Sequence, residues 1–287
     1  MNKDEALSLY RDKMEFRNLS PKTIKMYEFY LRKYFESTGE DDISQLTIED
    51  SINYVADLKK SGKFTPQSLN IIISTIRCFN EIVLDIYVSR ARFPLIRCKL
   101  NEPAVFSDDE IQILLSNTHD IQFKTMMFLG IDCGLRVSEV VHLKVSDIKS
   151  SEGFILVRES KRGKTRKVKL SGQCLQLLRK YWKVYRPKEW LFPSPRSNKE
   201  GSPYHAGALN NKFSKYLKEL GLNRDGFRFH SLRHTYATRM LEDDCDIFLL
   251  KKLLGHSSFA STARYIHVTS RDIRNSFSPS DKRRYAL

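Results

Sequence analysis

The sequence predicts a mainly α-helical protein with a small β-sheet, built as a four-helix N-terminal domain followed by an α+β domain. Three observations carry this reading. Apolar side chains recur at helical spacing in four stretches of the first 95 residues. A stretch of mixed charge holding Pro94 and Pro103 then interrupts the pattern. Beyond it, only the short runs 154–157 and 168–170 read as strands, flanking a Lys/Arg-rich turn among further helical segments.

Each element has a local cause. Residues 3–17 form the weakest of the four N-terminal stripes. Ser20 followed by Pro21 is an N-cap with proline at the first helical position, and Ile24, Tyr27, Leu31, Tyr34 and Phe35 follow on one face. Thr47 and Asp50 make a capping-box start for Ile48, Ile52, Val55 and Leu58. Thr65 and Pro66 open a stripe of Leu69, Ile72, Ile73, Ile76, Phe79, Val83 and Leu84. Ser107 and Glu110 restart helix after the linker, in a segment expected to run over 108–133 and to stop at Gly134. A short helix over 138–143 follows, and residues 173–185, 205–220, 231–242 and 246–254 read as helices, the last ended by Gly255. The expected domains are 1–95, a linker at 96–104, a second domain at 105–270 and a tail at 271–287.

Composition narrows the function. Lys and Arg number 49 against 34 Asp and Glu, a net charge of +15. Residues 1–95 hold 14 basic and 14 acidic side chains, so residues 96–287, with 35 and 20, carry the whole excess. A basic surface of this size points to a polyanionic partner, nucleic acid first. No run approaches the roughly 20 apolar residues of a membrane span, and the charged, amphipathic start is not a secretory signal. The five cysteines are scattered, with no CxxC pair, and read as reduced thiols of a cytoplasmic protein rather than a disulfide or zinc framework.

Four segments could carry chemistry. In GLRVSE, Arg136 follows the helix-ending Gly134 by two residues, well placed to grip an anion, and Glu139 lies three residues on to orient a neighbour. On its own this would be a surface ion pair of little worth. Residues 158–169 hold seven basic side chains and one acidic one, among them Lys161, Arg162, Lys164 and Arg166 in and beside the turn, a tip able to track a phosphate backbone. In HSLRHT, His230 and Arg233 share a helix face and suit a phosphate. His230 and His234, at i and i+4, are also spaced as zinc ligands, a weaker reading with no HExxH and a cationic arginine between them. The fourth is LGHSS with His256, then Tyr265 nine residues later. A free phenol titrates near pH 10 and is a poor nucleophile, but arginines, a lysine and histidines around it are expected to stabilise its phenolate. The set holds no carboxylate cluster for Mg²⁺ and no P-loop, and points to phosphoryl transfer without metal, ATP or cofactor.

In order and spacing these motifs resemble the tyrosine recombinase, or phage integrase, family, in its Xer-like two-domain form. GLRVSE, HSLRHTYAT and LLGHSS with tyrosine at +9 match at every key position, across roughly 105–270. The N-terminal part is similar to that family's SAM-like core-binding domain. The resemblance implies that Arg136 and Arg233 clamp the scissile phosphate and that Tyr265 attacks it to leave a 3′-phosphotyrosyl link and a free 5′-hydroxyl. It implies that His230 is the acid–base group near the tyrosine, that His256 bonds the phosphate, and that Glu139 supports the site. Lys161 would protonate the leaving 5′-hydroxyl when TRKVKL is matched to the second strand, with Lys164 as its rival. The implied partners are double-stranded DNA with paired core sites and a homotetramer on it, with room for a second recombinase or accessory factor, and no membrane. The neutral N-terminal domain would meet DNA through Lys22, Lys25, Lys59, Lys60 and Lys63, and the tail would either dock on a neighbouring protomer, as such segments often do in this family, or stay solvated. Integration, excision, resolution and transposition all use this chemistry. Two other readings are a type IB topoisomerase, which rejoins the original strand, and an architectural DNA-binding protein.

Overall fold

The computed structural model describes residues 1–98, 102–158, 165–195 and 201–265. It is mostly helical, with one small sheet, and divides into two compact units, Met1–Asn101 and Glu102–Leu287.

The first unit packs α1 (Lys3–Phe16), α2 (Pro21–Thr38), α3 (Ile48–Lys60) and α4 (Pro66–Ile82). Every start is capped: Asn2 and Glu5 satisfy each other's backbone N–H, as do Thr47 and Asp50, while Ser20 and Thr65 cap helices that open on proline. The stripes predicted from spacing meet in one core, where Tyr10, Met14, Leu31, Tyr34, Phe35, Ile76 and Phe79 are fully buried. Val83 and Leu84 lie past the end of α4 and are only partly covered. The chain leaving α4 is held by Asn70, whose side chain donates to the Ile96 carbonyl at 2.9 Å and accepts from the Ile96 N–H at 2.7 Å. Lys22, Lys25, Lys59, Lys60 and Lys63 are all exposed, at the start of α2 and around the end of α3.

In the second unit, residues 108–133 form two helices rather than one: α5 (Asp108–Ser116) and α6 (Ile121–Asp132). The break has a local cause, since the Asp120 carboxylate accepts from the Phe123 N–H at 3.0 Å and starts a new helix. Next come α7 (Val137–Val141), β1 (Ile148–Lys149), β2 (Phe154–Arg158), β3 (Thr165–Lys169), α8 (Gly172–Tyr185), α9 (Ala206–Glu219), α10 (Phe229–Glu242), α11 (Ile247–Leu254) and α12 (Ala260–Ala263). The sheet is antiparallel in the order β1-β2-β3, and β1 is too short to leave a sequence pattern. The register sets Val157 opposite Arg166 and Ile155 opposite Val168, so these four share the inward face. Helices α6 and α10 pack closely at Gly130, where an added Cβ would lie 3.1 Å from the Leu232 Cβ. Among the described residues, no helix is long and apolar enough to cross a membrane.

Candidate active site

The site begins at the turn after α6. Gly134 has φ +62°, and a Cβ there would lie 2.4 Å from the Tyr236 ring, so only glycine lets the chain turn here against α10. The turn delivers Arg136 to the N-cap of α7. Glu139, three residues on, accepts from the Arg136 backbone N–H and from its Nη1, each at 2.8 Å.

Glu139 also draws in two arginines from distant segments. Arg166 on β3 donates Nη1 and Nη2 to the two carboxylate oxygens, both at 2.8 Å, and its Nε to the Leu253 carbonyl at 2.6 Å. Arg233 on α10 lies 3.6 Å from the same carboxylate and donates to the Gly134 carbonyl at 2.8 Å and the Leu254 carbonyl at 2.6 Å. Burial by itself would raise the Glu139 pKa, but the Arg166 hydrogen bonds and charge outweigh it and hold the carboxyl at about 2. Arg233 is fully buried, and burial together with the Arg136 charge lowers its pKa to about 9, still protonated at neutral pH. Its buried Nε has no hydrogen-bond partner among the described residues. Arg136, one-third exposed, is the more open of the two.

Three histidines line the same region. The His230 and His234 rings meet edge to face with centroids 4.6 Å apart on α10. His256, just past the left-handed Gly255 that ends α11, bonds the Thr262 hydroxyl on α12 through Nδ1 at 2.8 Å. Burial first, then the surrounding cations, lowers His230 to about 4 and His256 to about 3. Tyr265 follows α12, is 4% exposed, and packs with Ala237, Leu250 and Leu254. Its hydroxyl lies 2.7 Å from His234 Nδ1.

Thus Arg136, Glu139, His230, Arg233, His256 and Tyr265 all fall in the second unit around one carboxylate and one phenol. Three expectations need correction. Arg166 does not present a guanidinium to solvent at the hairpin: its side chain is 8% exposed and turned inward onto Glu139. Strand alternation carries the signal, since Arg166 lies two residues before the inward Val168. The phenol of Tyr265 is pushed up, not down, because its burial outweighs the opposing charges of Arg233, Arg264 and Arg136. The histidine in contact with the tyrosine is His234, which sequence spacing presented only as half of a zinc pair. Lys161, Arg162 and Lys164 lie outside the described residues, as does the tail. Cys133 and Cys174, far apart in sequence, meet beside Asp132 with donor atoms within 4.8 Å of one another.

Residues 104–271 match the model of the phage integrase family, and residues 7–89 that of the phage integrase N-terminal SAM-like domain. The chain belongs to the phage integrase family. It is 32% identical over 274 residues to tyrosine recombinase XerA of Pyrococcus horikoshii, covering 94% of this chain and 91% of that one. It is 33% identical over 267 residues to the putative integrase/recombinase y4qK of Sinorhizobium fredii, covering 93% and 85%. Among solved structures, the XerA recombinase crystal structure aligns over 98% of this chain and 100% of that one, with 26% identity and a TM-score of 0.53. The Tn1549 transposon integrase in complex with a circular intermediate DNA shares the fold, with a TM-score of 0.75 at 17% identity over 94% and 97% of the two chains.

Proposed function

We propose that this chain breaks and rejoins DNA strands through Tyr265, forming a 3′-phosphotyrosyl intermediate within paired sites bound by four protomers. As a member of the phage integrase family with XerA among its relatives, it is a tyrosine-type site-specific DNA recombinase. The observation that carries the assignment of the site is the convergence on Glu139 of arginines at 136, 166 and 233, on three separate elements, in the unit that also buries Tyr265.

In this reading, Arg136 and Arg233 grip the non-bridging oxygens of the scissile phosphate and stabilise the charge that grows on them. Glu139 and Arg166 hold that clamp without touching DNA. His256 donates to the phosphate, and His230, expected as the acid–base group near the tyrosine, packs against His234, the histidine that contacts the phenol. The Tyr265 oxygen forms a bond to phosphorus as the bond to the 5′-oxygen breaks, and Lys161, with Lys164 as its rival, protonates the leaving oxygen. The bond energy stays in the phosphotyrosyl link, so a 5′-hydroxyl from a second strand reverses the step and joins a new pairing. Residues 1–95 serve as the core-binding domain, 96–104 as linker, 105–270 as the catalytic domain, and 271–287 as a tail that docks on a neighbouring protomer. The enzyme acts in the cytoplasm, in integration, excision, resolution or transposition. One structural neighbour is a lambda integrase tetramer bound to a Holliday junction, and that assembly supports four protomers on DNA.

Covalent trapping tests the proposal. Wild type and Tyr265→Phe are expressed with the source DNA, denatured rapidly, and the protein-linked DNA is recovered and sequenced. Only the wild type is expected to carry DNA, joined through a 3′-phosphate. Equal linkage in both proteins overturns the role of Tyr265.

A further inference from the structure

We propose that His234 is the residue that orients the Tyr265 phenol and receives its proton as the bond to phosphorus forms. This rests on the reading of Tyr265 as nucleophile and adds a group that the sequence motifs leave without a task.

Among the described residues, the group in hydrogen-bond contact with the Tyr265 hydroxyl is His234 Nδ1, at 2.7 Å. His234 lies one helical turn beyond His230, directly after Arg233, so the backbone of α10 that places the arginine also places the imidazole. The contact is sheltered: Tyr265 is 4% exposed, and water has little access to compete for the phenol proton. The contact joins two segments 31 residues apart, so it is a tertiary choice and not a consequence of local chain geometry.

Chemistry sets the direction of the hydrogen bond. Burial first, then His230, Arg264, Arg233 and Arg228, drives His234 down to about 3, so the ring is neutral at physiological pH and carries one N–H. Tyr265 is protonated there too, as burial pushes its phenol up. A neutral imidazole with its hydrogen on Nε2 leaves Nδ1 as an acceptor for the phenol O–H. Arg233, one of the cations that depress His234, grips the phosphodiester in this reading, so arrival of the phosphate offsets its charge and raises the basicity of the imidazole as the proton must move. The step then balances. The oxygen of Tyr265 bonds to phosphorus, its proton passes to His234 Nδ1, the bond from phosphorus to the 5′-oxygen breaks, and that oxygen takes a proton from the turn lysine. In the reverse step, His234 returns the proton to the tyrosine as it leaves.

Two measurements test this. The first uses the DNA-free protein and imidazole nitrogen NMR. The His234 signals, assigned by their loss in His234→Asn, are expected to show the Nε2–H tautomer, with a Nδ1 resonance that shifts on Tyr265→Phe while the His230 resonances stay. A protonated Nδ1, or a shift at His230 in place of His234, overturns the proposal. The second is the covalent-linkage assay with added variants. His234→Phe is expected to lower the yield of linked DNA by about 100-fold or more, the range of a positioned general base. His234→Asn, which keeps an acceptor near Nδ1 but no base, is expected to recover part of that loss. Linkage at the wild-type level in both variants overturns the role of His234, whereas linkage by Tyr265→Phe would overturn the nucleophile itself, so the two failures are distinct.

Discussion

Glu139 shows how much one side chain can hold together. Its carboxylate, 6% exposed, meets Arg136, Arg166 and Arg233, so removing its charge leaves buried cations facing one another. Breaking a buried pair from one side costs about 3–5 kcal/mol, far more than a surface pair. Glu139→Gln is therefore expected to lower unfolding stability by about that amount, read as a shift in the urea midpoint. Arg166→Met should cost less, because Glu139 keeps two arginines. The acid limb separates these effects. With a folded pKa near 2 against an ordinary 4.5, Glu139 contributes stability that is fully present above pH 4.5 and is lost as pH falls toward 2. The three depressed histidines have the same sign at higher pH, with stability lost as pH falls below 6.5. Glu139→Gln should erase only the lower part of the limb, and an unchanged limb would remove Glu139 from the account.

At the scale of elements, the turn between α6 and α7 is the joint on which the clamp depends. Gly134→Ala would place a methyl group against the Tyr236 ring and put alanine at φ +62°. Left-handed strain and overpacking together should destabilise the protein by at least about 2 kcal/mol and displace Arg136. Tyr236→Ala opens the space but leaves the backbone strain, so the double variant should lose less than the sum of the single losses. Strict additivity in thermal unfolding would reject the clash. This turn was legible in the sequence, as were the helix starts, because caps and glycines act within a few residues of themselves. What stayed hidden is long-range. Nothing local to β1 marks two residues as a strand. Nothing near Tyr265 announces His234, 31 residues away. Nor does a lysine-rich hairpin reveal that Arg166 turns inward until Val168 is read as its partner on the same face.

For the whole molecule, charge and fold divide differently. Residues 96–287 carry the chain's excess of basic residues, nearly all of it in the second unit, while residues 1–95 are neutral, with 14 basic and 14 acidic side chains. A neutral domain can still face a polyanion if its charges are segregated. Lys22 and Lys25 open α2, while Lys59, Lys60 and Lys63 sit together around the end of α3, all exposed. Of these, Lys60 has a carboxylate nearby, Asp57 at 3.6 Å, a surface pair too weak to withhold it from a phosphate. If these lysines track the backbone, each contact releases condensed counterions, and the slope of log affinity against log salt shrinks by about 0.9 per contact removed. Replacing all five with alanine should therefore flatten the slope by about 4 to 5 while leaving helix content unchanged. Fluorescence anisotropy on a labelled duplex at several salt concentrations reads this directly. An unchanged slope would assign the five lysines to solvent and leave DNA contact to the second unit, whose net charge is large enough to supply it.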